Sequence, residues 1–428
     1  MSDRDHRVTP AWPDGAASAL PAEGLDAWFS TVAGTEPWRS LLDPPPPERE
    51  SRGYGHTLRE ILQQPLTWED TAQDVAAARG TLERVLRDSG VSGGQASVLL
   101  TGSGSSLFAG ECVALVLQAA LGVPVQAVPA GLLLTHAESC VPRDRPCLVV
   151  SLARSGNSPE SCGAVDLLLA RHDACRHLVI TCNGAGRLAT RYRGEPRVAR
   201  IVLRESTNDR SLVMTSSLTN MVLALGALGF VGELPAYADR VRGLAVIGRS
   251  LLLDHGERLA ALARRPFRSV LFLGTGCRFG SAREGSLKML EMSEGRVSTS
   301  CESFLGLRHG PMSGIRADTL VVCFLSSDTV ARAYEIDLLR ELNRKQLGLA
   351  KAIVGESIPE EVLLPGDLTL ECPGLASQGD DRVPVIDVLV AQVLAFFRSL
   401  FLGLHPDAPS PNGVISRVVE TFEIHGSR

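Results

Sequence analysis

Three ionisable residues at helical spacing are the strongest candidates for catalysis in this chain. Glu284, Lys288 and Glu291 stand at positions i, i+4 and i+7 of the run GSAREGSLKMLEMSEG, so they share one face of a predicted helix. Such a triplet is commonly a solvated, ion-paired stripe, but here apolar residues surround it and the helix follows a Gly-x-Gly turn. A carboxyl group with a raised pKa beside a lysine suits an enzyme that transfers protons.

A histidine follows shortly after this predicted helix. His309 lies in the run RHGP within Cys301–Ser313, where glycine and proline hold the imidazole in a short, rigid loop. An isolated histidine is often structural or simply exposed. Its place close behind the Glu–Lys–Glu face makes His309 a second candidate for acid–base chemistry.

A serine-rich turn is the candidate binding site for a phosphate group. In LVVSLARSGNSPES, at Leu148–Ser161, an apolar strand leads into Arg154 and Ser155. Ser158 as N-cap and Pro159 as the first helical residue then begin a helix. Free backbone N–H groups, hydroxyls and a helix N-terminus converge on one point, as phosphate binding requires. The alternative is an ordinary strand-to-helix turn whose polar residues only cap the helix.

A second group of hydroxyls follows another predicted strand. Ser103, Ser105 and Ser106 lie in the Gly-x-Gly turn of SVLLTGSGSSLFAG. They can cap the next helix, or join the serine-rich turn around a phosphate monoester, because adjacent strand ends of a parallel sheet form a ligand-binding crevice. A dinucleotide site is not indicated, since Leu107 and Phe279 stand where the fingerprint of such sites needs a third glycine.

Short apolar runs alternating with longer amphipathic stretches predict an α/β protein. The predicted strands of the first half are Val98–Leu100, Leu148–Val150, Leu178–Ile180 and Val198–Leu203. This alternation is typical of βαβ units around a parallel sheet. The turn at Ser97–Gly110 has a counterpart at Ser269–Gly285, and the strand at Leu148–Ser151 has one at Leu320–Ser327. We therefore predict two doubly wound parallel-sheet domains related by internal duplication.

The pattern divides the chain into five predicted segments. They are a Pro/Ala-rich, loosely packed N-terminal arm at 1–52, a helical lead-in at 53–94, a first domain at 95–235, a linking helix and second domain at 236–405, and a C-terminal tail at 406–428. A chain of 428 residues is long enough for two domains of ordinary size, each with its own core.

Composition excludes several classes of partner. A net charge of −5 gives no reason to expect nucleic acid or an anionic membrane. The polar N-terminus lacks the apolar core of a signal peptide, and the longest apolar stretch, Met221–Val231, is too short to span a bilayer. Ten cysteines without a C-x-x-C pair indicate reduced, mostly buried thiols in the cytoplasm and no zinc site.

Taken in order, the motifs resemble the SIS (sugar isomerase) superfamily in its two-domain form, and within it the AgaS-type enzymes. The matching segments are Ser151–Ser161, Ser211–Met221, Arg283–Gly295, Phe304–Ser313, Leu320–Asp328 and Pro411–Glu420. The resemblance implies two flavodoxin-like domains and covers the chain from about residue 95 to near its end, whereas residues 1–52 show no match. AgaS-type enzymes are described as tagatose-6-phosphate ketose/aldose isomerases or galactosamine-6-phosphate deaminases.

The resemblance also implies roles for individual residues, in part through the more distant isomerase domain of glutamine–fructose-6-phosphate aminotransferase. Glu291 matches the glutamate that moves a proton between C1 and C2, and His309 the histidine that opens the sugar ring, often from a neighbouring subunit. Glu284 and Lys288 match residues that line the site. The phosphate is expected among hydroxyls that the resemblance places at Ser155, Ser158, Ser106, Thr215 and Ser216, and the C-terminal tail is expected to return to the site.

One position departs from that relative. The aminotransferase has a C-terminal lysine that forms a Schiff base with the sugar, and Arg417 stands in the corresponding place. Arginine stays protonated and cannot form a Schiff base, although it can bind an anionic or hydroxylated ligand.

The function implied is that of a hexosamine-6-phosphate deaminase in a homodimer or larger homo-oligomer, with no metal or organic cofactor. An isomerase that does not deaminate needs nearly the same residues and remains open. A sugar-phosphate sensor without catalysis is a further alternative, but a sensor that regulates transcription needs a DNA-binding segment, and Met1–Ser51 is neither basic nor periodic. A glutamine-dependent amidotransferase needs a cysteine just after the initiator Met, whereas the first cysteine here is Cys112.

Overall fold

Ten strands form two separate sheets in the computed structural model, which describes residues 24–410, 412–420 and 422–425. The strands are β1 (Ser97–Gly102), β2 (Val125–Pro129), β3 (Cys147–Ala153), β4 (Cys175–Thr181), β5 (Val198–Val202), β6 (Ser269–Leu273), β7 (Ser298–Glu302), β8 (Thr319–Phe324), β9 (Ala350–Gly355) and β10 (Leu368–Glu371). The first sheet has the order β2-β1-β3-β4-β5 and the second the order β10-β9-β8-β6-β7. All neighbouring strands in both sheets are parallel.

Helices cover both faces of each sheet. They are α1 (Leu25–Val32), α2 (Trp38–Leu42), α3 (Pro46–Ser51), α4 (Gly55–Leu62), α5 (Gln64–Ala77), α6 (Arg79–Asp88), α7 (Ser105–Glu111), α8 (Ala114–Leu121), α9 (Ala130–Cys140), α10 (Pro159–Arg171), α11 (Arg187–Thr190), α12 (Ser216–Gly226), α13 (Leu234–Ala263), α14 (Cys277–Met292), α15 (Thr329–Arg344), α16 (Leu375–Gln378) and α17 (Pro384–Phe401). Single 3₁₀ turns lie at Val91–Gly93, Glu205–Thr207, Ala227–Glu233, Gly306–His309, Pro311–Gly314 and Glu360–Val362.

The two sheets have the same topology. When the strands of each sheet are numbered from its own first strand, both orders read 2-1-3-4-5. This doubly wound order binds ligands at the carboxyl ends of strands 1 and 3, where the direction of winding reverses. The predicted fold class, two duplicated α/β domains, is therefore confirmed.

The predicted strands of the first half all exist in the first sheet. β1 and β3 are buried along their whole length, which explains their nearly continuous apolar sequence. The prediction missed β2, because VQAVP is short and alternates between buried and exposed residues. The long helix α13 connects the two domains, and α17 is almost entirely buried against it and against α14.

The repeated Gly-x-Gly turns have the same geometric cause in both domains. Gly104 and Gly276 both have positive φ, 55° and 59°. Gly102 and Gly274 approach the following helix closely: a Cβ on Gly102 would lie 2.7 Å from Ser106 Cβ, and one on Gly274 would lie 2.2 Å from a backbone oxygen. The glycines thus allow a helix to start directly on the strand end, without any dinucleotide.

The N-terminal arm differs from the prediction of loose packing. From residue 25 onward it forms α1, α2 and α3, and Trp28 and Trp38 are buried. The indole nitrogens of Trp28 and Trp38 donate to the backbone oxygens of Leu62 and Leu252, each at 2.7 Å. The proline-rich sequence concealed these large apolar anchors, and residues 1–23 lie outside the described part. We keep the five predicted segment boundaries as a proposal.

Two helical segments are long and apolar enough to cross a membrane by composition alone. Ser216–Ala263 has 61% of its apolar window buried inside the protein, and Pro384–Phe401 has 89%. Sequence inspection overlooked the second segment because Asp387 and Arg398 interrupt its apolar run. Burial of this extent is the usual property of core helices.

Candidate active site

The three ionisable residues of α14 form one connected group. Glu284 and Lys288 are fully buried, and Glu291 in the last turn is 21% exposed. Lys288 Nζ lies 3.4 Å from Glu284 Oε1 and donates a hydrogen bond to Glu291 Oε2. The alternative of a solvated surface stripe is therefore wrong, because two of the three side chains have no access to solvent.

This group faces the first sheet, although α14 belongs to the second. Ser105, at the start of α7 and the carboxyl end of β1, donates from Oγ to Glu284 Oε1 at 3.0 Å. α14 packs along α7, and Gly280 makes the close approach possible, since a Cβ there would lie 2.7 Å from the Cys112 backbone nitrogen. The sequence predicted that the helix follows a strand end, but not that its polar face covers the other domain's crevice.

Burial changes the protonation of the group. The pKa of Glu284 is raised to about 7, because burial and the charge of Glu291 raise it by more than Lys288 and Ser105 lower it. Burial lowers the pKa of Lys288, but the two carboxylates outweigh burial and its pKa is raised overall. Glu284 Oε2 has no hydrogen-bond partner among the described residues. The site thus holds a charged lysine beside a carboxyl group that can exchange a proton near neutral pH.

The predicted phosphate loops lie at adjacent strand ends of the same crevice. Ser103 and Ser106 follow β1, while Ser155 and Ser158 follow β3, which pairs with β1. Ser158 occupies the N-cap position of α10, as predicted, but its hydroxyl makes no capping bond and is partly exposed. The alternative that this serine serves only as a cap is not what the structure shows, and its hydroxyl is free for a ligand.

Arg154 binds backbone carbonyl oxygens of the protein, whereas the sequence predicted a contact with phosphate. Its guanidinium is buried and donates to three successive carbonyl oxygens, those of Ser211, Leu212 and Val213, at 2.8–3.2 Å. It also donates to the Arg417 carbonyl oxygen at 2.8 Å. With these partners Arg154 holds the loop before α12 and the C-terminal tail together beside the phosphate turn.

Thr215 and Ser216 also differ from the expectation of substrate binding. Both are fully buried. The backbone nitrogen of Thr215 donates to Asp209 Oδ2 at 2.8 Å, and Ser216 Oγ donates to the Glu60 carbonyl oxygen at 2.8 Å. Thr215 Oγ1 donates to Asp209 Oδ1 at 3.3 Å, so both hydroxyls have protein partners at the start of α12, and their contact with a substrate stays a prediction.

Arg417 lies close to this loop. Its Nε donates to the Asp209 carbonyl oxygen at 2.8 Å, and a terminal nitrogen donates to Asn208 Oδ1 at 2.7 Å. The side chain therefore anchors the C-terminal tail to the loop that Arg154 also holds. A direct contact of Arg417 with substrate stays a prediction.

Glu60 is a residue that sequence analysis missed. Its carboxylate is buried and accepts hydrogen bonds from the backbone nitrogens of Arg210 and Ser211 and from Ser211 Oγ. Burial, and then the charge of Asp209, raise the pKa of Glu60 to about 8. A protonated Glu60 can donate to Ser211 Oγ, because the Ser211 hydroxyl can in turn donate to the Val213 carbonyl oxygen at 3.0 Å.

The raised pKa of Glu60 makes stability depend on pH. Between pH 4.5 and about 8 the folded protein holds a proton that the unfolded chain releases, so this contribution to the free energy of unfolding falls as pH rises. We expect the Glu60→Gln variant to lose less stability than the wild type between pH 5 and 8. Urea unfolding at both pH values measures this, with exposed Glu83→Gln as control. If the free energy of unfolding changed equally between pH 5 and 8 in the wild type and in Glu60→Gln, the protonation of Glu60 would be contradicted.

His309 belongs to a 3₁₀ turn that packs on the other face of the second sheet from α14. Leu307, in the same 3₁₀ turn as His309, packs in a core cluster with Leu271 of β6. Met289 of α14 packs in another cluster with Phe272, the next residue of β6. Successive strand residues face opposite sides of a sheet, so the turn that carries the exposed His309 and the helix that carries the carboxylates pack on opposite faces of the second sheet.

At the corresponding strand ends of the second sheet, a carboxylate of the protein itself accepts the hydrogen bonds. The Asp380 carboxylate accepts from the Ser327 backbone nitrogen at 2.8 Å and from Ser326 Oγ. These serines follow β8, the counterpart of β3, so Asp380 lies where a phosphate would bind in the duplicated domain. The first sheet therefore carries the candidate site. No group of three or more His, Cys, Asp or Glu suited to hold a metal ion occurs in the described part of the chain.

A known protein family matches the domain that carries the candidate site. The family model described as "SIS domain" matches residues 94–230. The AgaS protein of Streptomyces coelicolor is 38% identical over 373 residues, 86% of this chain and 95% of the relative. This chain belongs to the AgaS family. The D-galactosamine-6-phosphate deaminase AgaS of Escherichia coli is 34% identical over 380 residues, again 86% of this chain and 95% of the relative.

A solved structure supports the fold over most of the chain. The tagatose-6-phosphate ketose/aldose isomerase from Escherichia coli is 31% identical, with a TM-score of 0.78 over 84% of this chain and 96% of that one. The family predicted from the motifs is confirmed, and with it the prediction that the chain is an enzyme. The roles of individual AgaS-family residues stay predictions.

Proposed function

We propose that this protein deaminates a hexosamine 6-phosphate and that galactosamine 6-phosphate is its substrate, giving tagatose 6-phosphate and ammonia. The observation that carries the proposal is the buried Glu284–Lys288–Glu291 group placed over the serine-rich turns of the first sheet. It combines a proton-transfer group with a phosphate site in one crevice. The names of the AgaS relatives in Streptomyces coelicolor and Escherichia coli support the choice of sugar and reaction.

The phosphate is proposed to bind between the two strand ends. Ser103 and Ser106 from β1 and Ser155 and Ser158 from β3 supply hydroxyls, and the N-terminus of α10 adds free backbone N–H groups and a favourable dipole. A phosphate held there leaves the other end of the open-chain sugar to reach the α14 group.

The reaction then needs a proton to move from C2 to C1. Glu291, which is partly exposed, takes the C2 proton of the open-chain aldehyde and returns it at C1, while the oxygen at C1 gains a proton and the 2-amino group loses one, giving the 2-imine. Water adds to the imine, and the C–N bond breaks to release ammonia and the ketose. The Lys288 ammonium stabilises the negative charge that develops on the oxygen at C1, and Glu284 holds Lys288 in place.

We propose that a histidine from another subunit opens the sugar ring. His309 is exposed, and its turn and α14 of its own chain pack on opposite faces of the second sheet. A site that uses both therefore needs a second copy of the chain, and we propose a homodimer or a larger homo-oligomer. All ten cysteines are free, which suits the proposed cytoplasmic location.

A shared site predicts complementation between inactive variants. Glu291→Gln and His309→Ala proteins should each be inactive, whereas hybrids formed by refolding them together contain intact sites. In a dimer, random association should restore about a quarter of the wild-type activity, because half of the dimers are hybrids with one good site of two. Ammonium release from the mixture measures this, and the two variants mixed without refolding are the control. No recovery in a verified hybrid would contradict the shared site.

Two other functions share part of this geometry. An isomerase that does not deaminate would use the same proton transfer on a ketose phosphate. A sensor would use the phosphate loops alone, but it would not need a fully buried lysine between two carboxylates.

A comparison of sugars separates these functions. We expect ammonium from galactosamine 6-phosphate, less from glucosamine 6-phosphate, and none from unphosphorylated galactosamine. The Ser155→Ala variant should weaken binding of the phosphorylated sugar only. Interconversion of tagatose 6-phosphate without ammonium from either amino sugar would favour the plain isomerase, and binding of phosphosugars without turnover would favour the sensor.

A further inference from the structure

A cavity with charged side chains in its lining lies outside the candidate active site. It has a volume of about 520 Å³, is partly open to solvent, and is lined by residues of α1, α3, α4 and the 3₁₀ turn after β5. This volume lies within the range of sites that bind small metabolites. None of the residues assigned to proton transfer or to the phosphate turns lines it.

Three arginines without ionic partners line this cavity. Arg49, Arg59 and Arg210 form no ion pair within 4.0 Å with any carboxylate in the described ranges, whereas other exposed arginines such as Arg204 and Arg340 are ion-paired. The Nε atom of Arg49 is buried and has no hydrogen-bond partner there. Three permanently charged guanidinium groups around one space can bind an anion together, and phosphate and carboxylate are their preferred ligands.

Acidic side chains share the lining. Asp26, Glu50 and Glu205 contribute carboxylates to the same cavity. Carboxylates accept hydrogen bonds from hydroxyl and ammonium groups, so the lining as a whole suits a molecule that carries an anionic group together with hydroxyls or an amine.

We propose that this cavity is a second ligand site, which binds a small phosphorylated sugar or amino sugar with its phosphate on Arg49, Arg59 and Arg210. The site would serve regulation, since none of its lining residues belongs to α14 or to the serine-rich turns. This inference uses the proposed function only for its choice of probe.

A physical connection joins the cavity to the active site. Glu60 lines the cavity and also binds the backbone of Arg210 and Ser211. The carbonyl oxygens of Ser211 and Val213 are partners of Arg154, which lies directly before Ser155. A ligand that moves Arg210 therefore acts on the loop that Arg154 holds beside the phosphate turn.

Binding stoichiometry tests the proposal. We expect calorimetric titration of the full-length Glu291→Gln protein with galactosamine 6-phosphate to give two ligands per chain. Adding Arg59→Ala and Arg210→Ala, both on exposed residues, should reduce this to one, whereas the exposed Arg84→Ala control should keep two. Circular dichroism verifies that each variant is folded.

The active-site arm of the experiment separates the two proposals. In the Glu291→Gln protein, adding Ser155→Ala and Ser158→Ala in place of the arginine changes should remove the ligand bound at the active site. The ligand bound at the arginine-lined cavity should remain. One ligand per chain that is insensitive to the arginine changes would overturn the second site. One ligand that depends on the arginines but not on the serines would support the cavity and contradict the proposed phosphate turn.

Discussion

Replacing Glu291 by glutamine should reduce kcat by about 10²–10⁴-fold, the usual contribution of a positioned acid–base group. Glutamine keeps the size and the hydrogen bond to Lys288 but cannot take the C2 proton. Binding of galactosamine 6-phosphate should stay within a few-fold of the wild type, because the phosphate contacts lie on the first sheet. Steady-state ammonium release and calorimetric binding measure the two quantities.

Glu294→Gln is a matched control for this variant. Glu294 follows α14 by two residues, is also 21% exposed and is paired with a basic side chain, Arg296. Its replacement should leave kcat unchanged. Near-normal turnover by Glu291→Gln would show that another group transfers the proton.

Replacing Lys288 by methionine should have the largest effect on stability. The buried ammonium is the only cation paired with Glu284 and Glu291 among the described residues, so methionine leaves two carboxyl groups facing each other without a counter-charge. Removing one partner of a buried ion pair typically costs about 3–5 kcal/mol. Chemical denaturation should show this loss, together with a loss of activity.

The loss should depend on pH and on Glu284. Without Lys288 the pKa of Glu284 rises further above its ordinary value, so the folded state gains stability as the pH falls and Glu284 is protonated. Destabilisation should therefore be smaller at pH 5 than at pH 8, and Lys288→Met/Glu284→Gln should recover stability but not activity. Exposed Lys345→Met, which breaks a surface pair with Glu341, should cost less than about 1 kcal/mol. If Lys288→Met and Lys345→Met both lowered the free energy of unfolding by the same small amount, the buried charge network would be contradicted.

The elements of the first sheet could be predicted because their signals are local. An apolar run buried on both faces identified β1 and β3, and Ser158 with Pro159 identified the start of α10. The helical spacing of Glu284, Lys288 and Glu291 fixed their common face. The duplication was visible because the Gly-x-Gly turns are required by backbone geometry in both copies.

The remaining features depend on contacts between segments that are distant in sequence. Glu60 is about 150 residues from the loop it holds, and nothing in GHTLREIL distinguishes it from a surface glutamate. Arg154 and Ser216 have the residue types of ligand-binding groups, but the fold supplies protein partners for both. Which sheet the polar face of α14 covers follows from the packing of α7 against α14, which no periodicity encodes.

The most direct test of the central claim is to measure ammonium and tagatose 6-phosphate together when the wild-type protein acts on galactosamine 6-phosphate. The account predicts equal amounts of both products, and neither above background from Glu291→Gln. Ammonium release by Glu291→Gln at the wild-type rate, or wild-type protein that binds the sugar phosphate without forming either product, would contradict it.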